Sequence, residues 1–211
     1  MTVLGIIEGI APPSTIQYYR AVIEIYRARS GGRAPRVLIN SLDSDKVFSL
    51  LSSADREGLA AVLLDGIQQL CNAGADLALF ASVSVHVAYE SLAGVSPLPL
   101  IGIIDATVDA SAGHQRLGSF ATSFTVRSDK FGSRLAHRNI RLVLPTEQEQ
   151  DDIQRIYFDE LVIGRVRSPS RQRLLKIAQR MRVAQLIDGV LWRALSCPYY
   201  GEKSVTTVSG S

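Results

Sequence analysis

Short apolar runs alternate with longer helical patterns along nearly the whole chain, and this alternation restricts the fold more than any other feature. Residues 2–7 form a continuous apolar run, the pattern of a strand buried on both faces. Residues 14–29 read as a helix, with Ser14 or Thr15 as N-cap, Pro12 and Pro13 ahead of it and Gly31-Gly32 as the stop. A second strand is expected at 36–41. An amphipathic helix follows at 54–72, with Leu59, Val62, Leu63, Ile67 and Leu70 on one stripe and Gly74 as C-cap. Residues 77–85 read as a third strand and 86–93 as a helix. Beyond Pro97 and Pro99 the pattern repeats, with strands at 100–104, 117–121, 140–144 and 189–192. Helices are expected at 106–113, 128–138, 148–163 and 169–184, the last one basic. The small polar residues at the end read as a frayed tail.

Such a repeat predicts an α/β fold with mainly parallel sheets, divided near Pro97 into two lobes of similar content. The expected division is a lobe at 1–98, a second at 99–192, and a short tail at 193–211 able to return to the first lobe. Composition agrees with a packed protein. Of 211 residues, 46% are hydrophobic and 20% charged, which excludes an intrinsically disordered chain. Lys and Arg total 23 against 20 Asp and Glu, so no nucleic-acid partner is implied. The basic residues from Arg165 to Arg182 lack interleaved aromatics and read as a solvated face. Only Cys71 and Cys197 carry thiols, which excludes a disulfide scaffold and fits a cytoplasmic protein. Cys71 reads as a small core residue. No signal peptide or membrane span is expected. No ligand spacing suits a metal, and no glycine-rich loop suits a nucleotide.

In sheets of this kind ligands bind at the carboxyl ends of strands, beside helix N-termini. Three of those loops carry small hydroxyls: Ser14 and Thr15; Ser82 and Ser84; and Thr122, Ser123 and Thr125. Hydroxyls and backbone N–H groups there bind carboxylates without a cofactor, whereas a single such residue serves equally well as a helix cap.

GIIEGIAPPSTIQYYRAV, GADLALFASVSVHVA, PLIGIIDAT, GSFATSFTVRSDKFGSRL and DDIQRIYFDELVIG, in that order and spacing, resemble the aspartate/glutamate racemase superfamily. The resemblance covers about residues 3 to 192. It implies two Rossmann-like lobes related by a pseudo-twofold, with the active site in the cleft between them. It further implies a small-molecule substrate, no cofactor, a homodimer, and one cysteine per lobe exchanging the substrate Cα proton. Asp43, Asp105 and Glu160 match family positions, and Asp43 is a candidate cleft residue.

The departures fall on the chemistry. The family's Cys-Thr-Asn-Thr-Met-His segment is Ala81-Ser82-Val83-Ser84-Val85-His86 here, so alanine takes the first cysteine's place. The second cysteine's place falls on Ala194 without a gap, or on Cys197 with a three-residue insertion. Alanine cannot move a proton, so racemisation by paired thiols is not available. Glu8 stands where the family has glycine, and a carboxylate there disfavours a dicarboxylate substrate. Glu8 and His86, at the ends of neighbouring strands, are the expected proton-transfer pair, with Cys197 a third catalytic candidate. Ser14, Thr15, Asp43, Ser82, Ser84, Thr122, Ser123 and Thr125 are the expected substrate-binding residues. These features favour a cofactor-independent isomerase, cyclase or lyase acting on a carbonyl or carboxylate substrate less polar than aspartate. Two alternatives stay open: a ligand-binding relative without catalysis, and an amino-acid racemase or decarboxylase using Cys197 alone.

Overall fold

Two four-stranded sheets carry the fold among the described residues. The computed structural model describes residues 2–8, 10–127, 130–165 and 167–192, together with the backbone of 205–207. The chain divides into two compact units, Met1–Ile103 and Ile104–Ser211. In the first, β1 (Val3–Ile7), β2 (Arg36–Asn40), β3 (Leu77–Phe80) and β4 (Leu100–Ile101) lie parallel in the order β2-β1-β3-β4. In the second, β5 (Arg116–Phe120), β6 (Arg141–Val143), β7 (Gly189–Trp192) and β8 (Val205–Thr207) follow the order β6-β5-β7-β8. Among the described strands, β8 alone is antiparallel to its neighbour. The expected α/β class with mainly parallel sheets is therefore observed. Part of the tail read as frayed is β8, and it adds to the second sheet rather than to the first lobe.

Both sheets are wound the same way. From β1 the chain steps to β2 on one side, then crosses to β3 on the other. The carboxyl ends of β1 and β3 therefore diverge from a topological switch point, where doubly wound sheets open a crevice for ligands. The ends of β5 and β7 form the matching point of the second sheet.

In the first unit, Ile6, Ile7 and Phe80 are buried, as are Leu59, Leu63 and Ile67 of α3 (Arg56–Asn72). Gly5 lets that helix come close: a Cβ there would lie 2.9 Å from Leu70 Cδ1. In the second unit, Leu117, Phe120 and Leu191 are buried with Ile177 and Met181 of α9 (Ser168–Gln185). Each aliphatic side chain removed from water in this way contributes roughly 1.5–3 kcal/mol. Cys71, expected in the core, is only half-buried on α3.

Several boundaries differ from expectation, each for a local reason. The first helix, α1 (Pro12–Arg29), begins earlier and has Ala11 as N-cap with no side-chain hydrogen bond. Pro12 and Pro13 take positions whose N–H groups would have no helical partner anyway. Ser14 and Thr15 therefore lie inside the first turn, buried, and do not cap it. A helix not anticipated, α2 (Ser44–Ser52), follows β2 and is capped by Asp43. The next helix starts at Arg56 rather than 54, because Ala54 is left-handed (φ 56°) and Asp55 caps the Gly58 N–H at 2.9 Å. β3 ends at Phe80, and residues Ser84–Ala88 form a 3₁₀ turn leading into α4 (Tyr89–Ala93). The alternating Val83 and Val85 imitate a strand there. β4 is short, and α5 (Ile103–Ala110) begins at once.

In the second unit helix is already present before the expected start at 128, in α6 (Ser123–Arg127), and continues within the expected span as α7 (Lys130–Ala136). α8 (Glu147–Ile156) opens on a capping box of Thr146 and Glu149. Burial alone would raise the Glu149 carboxyl, but hydrogen bonds from Arg180 and Thr146 outweigh it and hold the group below its ordinary range. After α8 a π-helical turn, Tyr157–Leu161, carries Glu160 inward. Its carboxylate accepts from Arg167 N at 2.8 Å and Ser170 Oγ at 2.6 Å, so it caps α9 from another element. Arg173 pairs with Asp152 and Arg180 with Glu149, so these two cations of the basic helix are neutralised inside their own unit. Among the described residues, no helix is long and apolar enough to cross a membrane.

Burial pushes two tyrosines, Tyr18 and Tyr157, from 10.0 up to about 12. The folded state thus holds two protons that the unfolded chain releases earlier. Their contribution to stability is intact below the unfolded value and is lost as pH rises through the folded one. Urea unfolding should show stability falling between about pH 10 and 12. A Tyr18→Phe, Tyr157→Phe double variant should show a shallower fall, and equal slopes would contradict the burial of these phenols.

Candidate functional site

Strand register builds the site. Ile7 pairs with Asn40 on one side and Phe80 on the other. One residue further, Glu8 follows between Ser41 and Ala81. The Glu8 N–H donates to the Asn40 carbonyl at 2.9 Å, and the Ala81 N–H donates to the Ile7 carbonyl at 2.9 Å. Both residues are buried, with Glu8 at 5% and Ala81 at 1% exposure. Glu8 and Ala81 therefore stand side by side at the switch point of the first sheet.

The Glu8 carboxylate has two hydroxyl donors. Ser41 Oγ donates to Oε2 at 2.7 Å, and Ser44 Oγ to Oε1 at 3.4 Å. These two serines were not singled out in the sequence. The available signal was a Ser-x-x-Ser step after the second strand, which reads equally well as ordinary capping. Among the described residues, no Lys, Arg or His forms an ion pair with Glu8. A buried carboxylate without a cation is costly unless hydrogen bonds or a ligand satisfy it.

The start of α1 reinforces the negative character of this end of the sheet. Helix N-termini usually present several N–H groups to anions. Here Pro12 and Pro13 have none, and the Ser14 N–H already donates to the Ala11 carbonyl at 3.0 Å. Thr15 Oγ1 is buried and has no hydrogen-bond partner among the described residues. A buried hydroxyl in that state is available to a ligand.

His86 is placed otherwise. Its Nδ1 lies 2.8 Å from the Ser82 carbonyl, and the Ile103 N–H donates to its Nε2 at 3.2 Å. That pair of contacts assigns the neutral tautomer with the proton on Nδ1. The ring is 1% exposed, stacks on Tyr89 at 5.5 Å and meets Phe80 edge-on at 5.7 Å. The imidazole thus ties the turn after β3 to the chain leaving β4. The expected partnership with Glu8 is not a hydrogen bond: Glu8 turns to Ser41 and Ser44 on the β2 side, and His86 to backbone on the β4 side.

The other expected residues divide in the same way. Asp43 accepts from the Asp45 and Lys46 N–H groups at 3.1 and 3.0 Å, so it is the cap of α2. Ser82 and Ser84 are half-buried in the turn after β3. At the end of β5, Thr122 and Thr125 are buried with their hydroxyls 3.2 Å apart, and the Thr125 N–H donates to Thr122 Oγ1 at 3.4 Å. Ser123 contributes its N–H to Gln154 Oε1 at 2.8 Å. Thr122 thereby caps α6. Ala194 and Cys197 lie outside the described residues.

Two sheets of matching strand order, with a polar cluster at the carboxyl ends of the first, define an α/β protein of the doubly wound kind, and the candidate site is the one at the switch point. This chain belongs to the Asp/Glu/Hydantoin racemase family, whose model matches residues 7–191. It is similar to an aspartate racemase homologue from Pyrococcus horikoshii OT3, with 26% identity and a TM-score of 0.81 over 99% of this chain and 93% of that one. A candidate Asp/Glu racemase from Yersinia pestis is 25% identical, with a TM-score of 0.80 over 92% and 85% of the two chains. An aspartate racemase from Picrophilus torridus shares the fold, with 17% identity and a TM-score of 0.71 over 94% and 83%.

If His86 braces two backbone groups, removing it leaves the Ile103 N–H unsatisfied and a void beside Phe80. His86→Ala should lower the unfolding free energy by about 3 kcal/mol, the usual cost of losing a buried ring together with its hydrogen bonds. Chemical denaturation checks this, and an unchanged midpoint would show that the ring does not brace the turn.

Proposed function

We propose that this protein is a cofactor-independent enzyme that moves a proton next to a carbonyl or carboxylate group with Glu8, rather than racemising through paired thiols. The observation that carries this reading is the position of Glu8. It is buried at the switch point beside Ala81, the place where the resemblance puts the family's first cysteine. Ala81 has no proton to give or accept. The carboxylate on the adjacent strand is a titratable group within a residue of it, held in one orientation by Ser41 and Ser44. General acid–base catalysis needs a group of this kind with fixed geometry.

Charge narrows the substrate. A second carboxylate about 4 Å from Glu8 would cost roughly 4 kcal/mol at the effective dielectric of a protein edge. Pro12 and Pro13 also remove N–H donors that would offset that cost. The reading is therefore isomerisation, cyclisation or lyase-type cleavage of a molecule less anionic than aspartate. Thr15, Ser14, Ser82 and Ser84 supply neutral hydroxyls for its oxygen atoms. His86 serves as a positioning residue that fixes the turn bearing Ser82 and Ser84.

Ala81 favours a second reading, a relative that binds its ligand and performs no chemistry. Proton NMR in D2O on a panel of 2-oxo acids, monocarboxylic α-amino acids and their esters separates the two. Wild-type protein should exchange the α-proton of at least one class. Glu8→Gln should slow that exchange by about a hundredfold or more, the usual contribution of a general acid–base group, with its melting temperature nearly unchanged. Near-wild-type exchange in the variant removes Glu8 from the chemistry, and binding without exchange supports the second reading.

A further inference from the structure

Helix α7 and the strand β6 leave a hollow between them. Gly132 and Ala136 stand four residues apart, so they share one face of α7, and neither has a side chain longer than a methyl. β6 is the outer strand of the second sheet, and among the described residues no further strand covers its free side. The hollow measures about 260 Å³ and opens to solvent. Besides the two small residues of α7, Val126 of α6 lines it, with Ile140, Leu142 and Leu144 in and beside β6. Leu144 is left 39% exposed there.

Arg141 is the charged group of this lining. Its neighbours in sequence are neutralised: Arg134 pairs with Asp105, and Arg138 with Asp109. Arg141 has no ion pair among the described residues. Its backbone is fixed in the ladder beside β5, where its N–H donates to the Gln115 carbonyl at 2.8 Å. The guanidinium therefore springs from a strand and not from a loop. A planar cation beside an apolar wall matches a carboxylate joined to an apolar body.

Size and chemistry narrow the occupant. An apolar cavity of roughly 150 Å³ accepts benzene. The hollow, at about 260 Å³, thus has room for a ring or branched chain and a carboxylate. Arg141 stays protonated, and the other lining residues carry no side-chain group that moves a proton, so the place is built for binding and not for chemistry. We infer that this hollow binds a small monocarboxylate with an aromatic or branched apolar body, its carboxylate on Arg141 and its body against Val126, Ile140, Leu142 and Leu144. The hollow shares no residue with the cluster around Glu8, so the inference stands whether or not Glu8 is catalytic.

Titration of the ¹⁵N-labelled full chain with phenylacetate, read from the amide shifts, tests it. Saturable shifts are expected at Gly132 and Leu142. Phenethylamine has the same ring and the opposite charge, and acetate has the charge without the ring; each should bind at least about tenfold more weakly. Ala136→Phe fills the hollow and should abolish the shifts. Arg141→Gln should weaken phenylacetate about tenfold, the usual worth of a hydrogen bond to a charged group. Arg141→Glu should reverse the order of phenylacetate and phenethylamine, which a misfolded variant could not do. The absence of saturable shifts at Gly132 and Leu142 overturns the inference, as do shifts confined to the first unit. Equal affinity for the three probes, or an order of preference that Arg141→Glu leaves unchanged, overturns it as well.

Discussion

The parallel pairing of β1 with both β2 and β3 is the constraint on which the site depends. It fixes which residues emerge together at the carboxyl end of the sheet. Ile7 pairs with Asn40 and Phe80, so Glu8, Ser41 and Ala81 must follow side by side. A slip of one residue would turn Glu8 to the other face and break the contacts to Ser41 and Ser44. Burial of Ile6 and Ile7 opposes that slip, because each would exchange a packed position for a different one. Core packing therefore sets the geometry of a polar cluster that contributes little to the core itself.

The placement of Glu8 relative to the proline pair then decides the local electrostatics. A switch point flanked by a helix N-terminus is ordinarily hospitable to anions. Here the covalent structure of Pro12 and Pro13 removes donors, while Glu8 adds an acceptor. The two changes act in the same direction. The chain belongs to the family by its match over residues 7–191, and a shared scaffold of this kind takes its chemistry from the residues placed at the site, which is why the proposed function rests on Glu8 and not on the fold.

Much of the fold was legible in the sequence because apolar runs long enough to span a sheet have few alternatives. The strands at 36–41, 117–121 and 189–192 were visible for that reason, and the polar site was expected at strand ends. What was misread depends on contacts between distant residues or on competing local chemistry. Val83 and Val85 carry a strand pattern, but the turn at Ser84–Ala88 is held by His86, whose partners at Ser82 and Ile103 are a tertiary matter. Asp43 was singled out as a candidate cleft residue, and its role as the cap of α2 was not legible because α2 itself was not anticipated. Ser14 and Thr15 looked like caps and are buried inside the helix, because the prolines start it two residues sooner. Glu160 needed a π-helical turn to reach α9, and no pattern in YFDEL announces one. Glu8 was identified from its departure from the family glycine, whereas Ser41 and Ser44 became visible only with the sheet register.

The central claim is that the first-sheet site works through a carboxylate and not through a thiol pair, and so turns away dicarboxylic amino acids. Incubation of the purified chain with L- and D-aspartate and glutamate in D2O, followed by NMR of the α-proton, tests it most directly. Full retention of the α-proton in all four is the expected result. Deuterium at Cα with loss of optical purity would contradict it, because that outcome requires a proton-exchange apparatus suited to a dicarboxylate at the place where Glu8 and Ala81 stand.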